Sequence, residues 1–204
     1  IYGAANPLFT ATATGFVNGD DLFSGAFSGN AAMATTAIGS SAPGNYPITI
    51  SIGTLTSSNY NFTFVGNTLT ISKAPVTVIA DNKTRPYGSN NPTLTWSYDG
   101  LMNGETAATC DITGAANIAT SATSKSSVGV YAITIANGSL SSVNYTLSFV
   151  TGDLTVAKAP LNVTANDASR AYGSANPTFA ATISGLVNSD RLNQVVSGNA
   201  SVST

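Results

Sequence analysis

Tyr2-Gly3-Ala4-Ala5-Asn6-Pro7 returns as Tyr87-Gly88-Ser89-Asn90-Asn91-Pro92 and again as Tyr172-Gly173-Ser174-Ala175-Asn176-Pro177, 85 residues apart each time. The stretch is turn chemistry: glycine permits positive φ, and the residue before a proline is held extended. The same period continues outward from it. Gly15, Gly100 and Gly185 recur, Asn59-Tyr60 matches Asn144-Tyr145, and Lys73-Ala74-Pro75 matches Lys158-Ala159-Pro160. Laid over residues 86–170 without a gap, residues 1–85 share 34 identities, or 40%. A fixed period must be read before any fold, because each copy is one structural unit. Three modules follow: a partial one at 1–73 lacking its first strand, a complete one at 74–158, and a partial one at 159–204. As 204 is two periods of 85 plus 34, the expectation is a window on a longer polymer of modules, with no terminal capping repeat.

Within the complete module, Val76 to Ala80 is a β-rich run closed by the polar turn at Asp81-Asn82-Lys83. Leu94, Trp96 and Tyr98 alternate with polar neighbours, as a half-buried strand requires, and Gly100 ends the run. Asn103 to Ala108 has the composition of a short helical turn. Ile118 to Thr123 predicts a weak strand, and Val130 to Ile135 a strong one with Tyr131, Ile133 and Ile135 on one face. Asn137-Gly138 between two such runs is a hairpin-compatible signal. Tyr145, Leu147 and Phe149 alternate again, Thr151-Gly152-Asp153 reads as a turn, and Leu154-Thr155-Val156 follows. The fold class is mainly β: tandem 85-residue modules, β-sandwich-like or β-grasp-like. Leu69 to Val78 and Leu154 to Val163 run from one module into the next without glycine, through Lys73 and Pro75 or Lys158 and Pro160. A short proline-stiffened junction limits bending, so modules joined end to end are expected to form a semi-rigid rod.

Composition narrows the function. Only seven Lys or Arg and nine Asp or Glu occur in 204 residues, 8% against the ordinary ~25%, with no histidine and one cysteine, Cys110. Polarity comes instead from 25 Ser, 28 Thr and 20 Asn. A net charge of −2 supplies no basic stripe for nucleic acid. One cysteine allows no internal disulfide, and without histidine most zinc, haem and iron–sulfur schemes fall away, so no cofactor is expected. No apolar run approaches the ~18 residues of a membrane span, and no membrane insertion is expected in this segment. Acids are too scattered for paired-carboxylate catalysis, and an enzyme is not expected.

An acid recurs at Asp20, Glu105 and Asp190, each time just after an Asn-Gly or Asn-Ser turn. Such a series could contact a cation or a glycan; the plainer expectation is a carboxylate capping backbone N–H groups of its own turn. Lys73 and Lys158 lie near Asn59 and Asn144 in sequence, which would allow a covalent Lys–Asn link in a dry core, although a solvated lysine guarding a strand edge explains them more simply. Arg85 and Arg170, each before a Tyr-Gly turn, read as surface residues. Trp96, Tyr98 and Tyr131 could stack a sugar but read better as core.

The ordered series Ala74-Pro75-Val76, Tyr87-Gly88, Asn91-Pro92, Gly100-Leu101, Asn103, Gly129-Val130-Tyr131, Ile133-Thr134 and Asn144-Tyr145 through Phe149-Val150 resembles the MBG domain of the YGX type over the whole chain. The resemblance implies tandem arrays in very large bacterial surface and secreted proteins. The function expected is a structural stalk or fibre segment of an extracellular adhesin or surface filament, its partners being neighbouring modules and other copies in a filament. The alternative is a module that binds host or matrix glycan or protein by avidity.

Overall fold

Side chains that alternate between apolar and small hydroxylated types make one wet and one dry face, and the described residues follow that alternation into twelve short strands. The computed structural model describes residues 1–198 and 200–203; Asn199 and Thr204, both inside the third module, lie outside the described residues. The first module contributes β1 (Ala32–Thr35), β2 (Gly44–Ser51) and β3 (Asn67–Ile71). The complete module holds β4 (Ala74–Ala80), β5 (Lys83–Pro86), β6 (Trp96–Asp99), β7 (Asn117–Thr120), β8 (Gly129–Ala136), β9 (Tyr145–Val150) and β10 (Gly152–Ala157). The third adds β11 (Asn162–Ala165), β12 (Ala181–Ser184) and the single helical turn α1 (Leu192–Val195).

The 85-residue period survives in the registers. Ala32 of β1 faces Ser51 of β2, and one period later Asn117 of β7 faces Ala136 of β8. Gly44 pairs with Ile71 as Gly129 pairs with Val156. The complete module divides its strands between two sheets, ordered β5-β10-β8-β7 and β6-β4-β9, and residues 74–158 contain no helix to lie across either. Within the first sheet β5 runs parallel to β10, Leu154 opposite Lys83, and the other pairs are antiparallel. The helical turn expected after Asn103 is there in outline, since both Thr109 and Cys110 donate backbone N–H groups to the Thr106 carbonyl.

Two local expectations change. Asn137-Gly138 does turn the chain, with Leu140 N–H donating to the Asn137 carbonyl at 2.9 Å, but it makes no hairpin. It carries the chain from β8 in one sheet to β9 in the other, because the intervening Ser141 pairs with Thr113 instead. Gly152 and Asp153 belong to β10 rather than to a turn; Gly152 is buried, and a Cβ there would lie 2.3 Å from the Ala80 carbonyl oxygen.

The chain separates into two compact units, each drawing on more than one repeat: residues 1–78, 98–115 and 137–148 in one, residues 79–97, 116–136 and 149–204 in the other. In the first, Tyr2, Ala37 and Ile71 of the first repeat share one buried cluster with Ala74, Val76 and Tyr145 of the second. The second buries Ala80, Ala122, Ile133, Ile135, Leu154 and Val156. Full burial of each Val, Leu or Ile contributes about 1.5–3 kcal/mol before conformational entropy is counted.

Arg85, expected at the surface, is 3% exposed. Its guanidinium donates to Asn91 Oδ1 at 2.7 Å, to the Pro86 carbonyl at 3.2 Å and to the Thr123 carbonyl. Asn91 passes the connection on, its amide donating to the Ala122 carbonyl at 2.6 Å as Asn6 does to Ala37 at 2.7 Å. The Tyr-Gly-x-x-Asn-Pro turn is thereby tied to the loop after β7, and the arginine disperses its charge over carbonyl dipoles. Arg85→Ala is expected to cost about 2–4 kcal/mol, since three acceptors lose their donor. Arg85→Lys should recover less than half of that, because an ammonium lacks the planar fork. The exposed Arg170→Ala is the neutral control, and urea unfolding followed by Trp96 fluorescence reads all three.

A recurring tyrosine–carboxylate joint as candidate functional site

Gly100 ends β6 at φ +95, where an added Cβ would meet the Pro75 carbonyl oxygen at 3.0 Å. The close approach directs Leu101 and Met102 back along the start of β4. Asn103 at φ 55 and Gly104 at φ 71 then turn the chain, closed by Glu105 N–H on the Met102 carbonyl at 2.9 Å. Asparagine is among the few L-residues that enter the left-handed region at small cost, and Asn18 and Asn188 sit at φ 57 and 55 in the other two repeats. Ser189 takes the glycine position of the third turn at φ 63.

That turn holds Glu105 between two tyrosines. Tyr2 donates its hydroxyl to Oε1 at 2.5 Å, and Tyr145, the first residue of β9, donates to Oε2 at 2.7 Å while accepting Met102 N–H at 2.9 Å. The two rings meet edge to face, centroids 5.5 Å apart, and both are buried. Tyr145 belongs to the same repeat as Glu105, 40 residues on; Tyr2 belongs to the preceding repeat, 103 residues back. The separation of 103 recurs in Tyr87, whose hydroxyl donates to Asp190 at 3.3 Å. The separation of 40 recurs in Tyr60, which donates to Asp20 at 2.6 Å. Glu105 thus has a partner from its own repeat and one from the Tyr-Gly turn before it, Asp20 shows the first of these contacts and Asp190 the second.

The glycine of that turn is part of the fit. A Cβ on Gly3 would overlap the Met102 side chain at 2.4 Å, and one on Gly88 would overlap Val187 at 2.4 Å. Asn188 adds a bond from its amide to the Ser124 carbonyl at 3.1 Å. The carboxylates receive phenols from distant chain, and backbone carbonyls rather than these acids close the turns. Among the described residues no three His, Cys, Asp or Glu side chains gather as a metal site.

Electrostatics keep the phenols protonated. Burial, together with the bond and charge of Glu105, pushes Tyr145 up to about 12 against the opposing Met102 N–H. The Glu105 bond raises Tyr2, with Asn103 pulling part of the way back, and the Asp20 bond raises Tyr60. Each raised phenol keeps its proton and donates it in a hydrogen bond to a carboxylate oxygen, a contact suited to holding surfaces together.

Asp111 was missed by the sequence reading because neighbouring repeats carry Ala26 and Val196 there. Burial opposes its ionisation, but donors from Ser142, Asn144 and Val143 outweigh that and hold its carboxyl below the usual range. Lys73 and Lys158 are exposed, and Lys73 donates to the Ser142 carbonyl at 2.8 Å. Pro75 lies inside β4, whereas Pro160 precedes β11 and approaches Gly185, where a Cβ would sit 2.9 Å from its carbonyl oxygen. Trp96 and Tyr98 are half-buried, with Tyr98 packed on the Tyr2–Tyr145 cluster. Tyr131 donates to the Ser127 carbonyl, Cys110 packs at the same cluster as Tyr98, and the Tyr172-Gly173 turn is exposed.

Tyr2→Phe should cost about 1 kcal/mol and Glu105→Ala about 2–3 kcal/mol. In the double variant the Tyr2 change should add only a few tenths of a kcal/mol, because its partner is gone; additive costs in this double-mutant cycle would deny the contact. The pH dependence has two limbs. The raised Tyr145 phenol contributes stability that is complete below pH ~10, its unfolded value, and lost as pH rises through about 12. Tyr145→Phe should flatten that alkaline fall. The depressed Asp111 contributes above pH ~4 and loses its effect as pH drops through its lower folded value, a loss that Asp111→Asn should remove. Denaturation midpoints measured across pH check both limbs.

No helix among the described residues is long and apolar enough to cross a membrane. No curated protein and no solved structure matches the chain. The family model described as MBG domain (YGX type) matches residues 1–70, 76–155 and 161–204. With the period, the Tyr-Gly turns and the β modules already in place, the chain belongs to the MBG domain family of the YGX type, as three tandem repeats.

Proposed function

We propose that this chain is a structural stalk or fibre segment of a large, repetitive bacterial surface protein, exported and extracellular. The observation that carries the reading is the joint itself: Tyr2 with Glu105, and Tyr87 with Asp190, tie consecutive repeats through one geometry at one separation of 103 residues. The connection from β3 to β4 is only Ser72-Lys73, which adds covalent shortness to the non-covalent tie. Tandem MBG repeats are consistent with a repetitive surface protein. A neutral-polar β chain that folds one module at a time and needs no disulfide suits export. The competing reading, weak glycan or host-protein affinity multiplied along the array, would need a group that recurs and faces solvent. The only recurring acid is engaged by phenols at Glu105, which favours the structural role.

Small-angle scattering of this chain and of chains lengthened by whole 85-residue periods tests it. A stalk predicts a maximum dimension that grows linearly, by roughly 35–45 Å per module. The pair Glu105→Ala and Asp190→Ala should turn the growth towards the square-root dependence of a flexible chain. Square-root growth in the unaltered protein would sink the stalk. Retention on immobilised mucin glycans, lost on altering Asp20, Glu105 and Asp190, would favour the binding module instead.

A further inference from the structure

Tension carried along a tandem array reaches a module at its first strand and leaves at its last, so the pairing of those strands decides how the module resists. In the complete module the first run is β4 and β5, the last is β9 and β10, and the two runs are neighbours in both sheets. Within one compact unit, contacts between β4 and β9 advance in the same sense along both. Ala74 N–H donates to the Asn144 carbonyl at 2.9 Å, and Ser148 Oγ donates to the Val76 carbonyl at 3.2 Å. Within the other unit, β5 pairs with β10 in parallel, from Lys83 opposite Leu154 to Pro86 opposite Ala157. Two more bonds lengthen that pair: Asp153 N–H to Asn82 Oδ1 at 2.7 Å, and Tyr87 N–H to the Ala157 carbonyl at 2.8 Å.

Parallel order fixes the direction of loading. Pulling β5 from its Lys83 side and β10 from its Ala157 side slides one strand along the other. The bonds between them run across that motion and are strained together, whereas strands drawn apart from one end lose theirs in turn. The inner side of the pair is also dry. Leu154 and Val156 are buried, and the buried Arg85 pins β5 to Asn91 and to the Thr123 carbonyl, so water is poorly placed to replace a stretched bond.

We propose that the β5–β10 pair is a shear-loaded mechanical clamp that keeps the module folded while the chain carries tension. The clamp rests on the stalk reading and adds a load-bearing function to it. Resistance to force is a rate property, set by the contacts that break before the barrier, and need not follow equilibrium stability.

Stretching the whole chain between handles at its two ends tests the clamp. Rupture of the complete module should release roughly 280–300 Å of chain before the folded length is subtracted, 85 residues at the extended rise of a peptide chain. A second chain, Cys110→Ala with handles on Lys83→Cys and Asp153→Cys, is pulled from one end of the same pair and should open at a several-fold lower force. Asn82→Ala, which takes an acceptor from the ladder, should lower the end-to-end force while barely moving the urea midpoint. Ile118→Ala, half-buried in β7 away from the clamp, should do the reverse. Circular dichroism checks that each variant is folded. Equal forces in the two pulling directions, or a force that tracks the urea midpoint through both substitutions, would overturn the clamp. Linear growth in scattering with equal forces leaves a stalk without a clamp, and directional resistance with square-root growth leaves a clamp without a stalk.

Discussion

A partly buried carboxylate is best held by a donor on each oxygen, and Glu105 obtains both from tyrosines that lie 103 and 40 residues away. Much of the surrounding architecture can be derived from that requirement. The Asn103-Gly104 turn must present the acid in a left-handed bend. Gly100 must let β6 end against the Pro75 carbonyl so that the turn sits beside β4. Gly3 must be bare so that the Tyr2 turn can lie on Met102. The rings then serve twice, as donors to the acid and as the aromatic centre of a cluster built from two repeats. That sharing is why a compact unit draws on more than one repeat.

The same economy runs through a chain with few charges. Among the described residues a single ion pair is recorded, Lys83 with Asp81 at 3.9 Å, and it is a partly exposed one of small worth. Arg85 is buried on carbonyls and an asparagine instead, while the partly exposed Asp111 is held by backbone N–H groups and a serine and the partly exposed Glu105 by phenols. Neutral partners around a lone charge leave little for salt to screen, so joints of this kind depend weakly on ionic strength. The Tyr145 phenol, pushed up to about 12, gives up its proton only far above neutrality.

Strand positions were largely legible, since β4, β8 and β9 follow the alternation of Val76, Val78, Ile133, Ile135, Tyr145 and Leu147. The link at Asn137-Gly138 was not, because a turn dipeptide encodes a reversal of direction but not the sheet that receives the next strand. Arg85 was misjudged because an arginine beside a turn is ordinarily solvated; its burial depends on Thr123, 38 residues on. The acids form one series in the sequence and the tyrosines another, and packing brings the two together. Their fixed offsets were the signal that could have joined them.

The 85-residue period, the module register, the strand faces and the turn sites were determined by the sequence alone. These depend on the order of neighbouring side chains, and neighbours are written in the chain. Tertiary structure alone decided which phenol meets which acid and that Arg85 is enclosed. Each is a contact between segments brought together by packing, where a few tenths of an ångström at Gly3 or Gly100 decide whether the surfaces close.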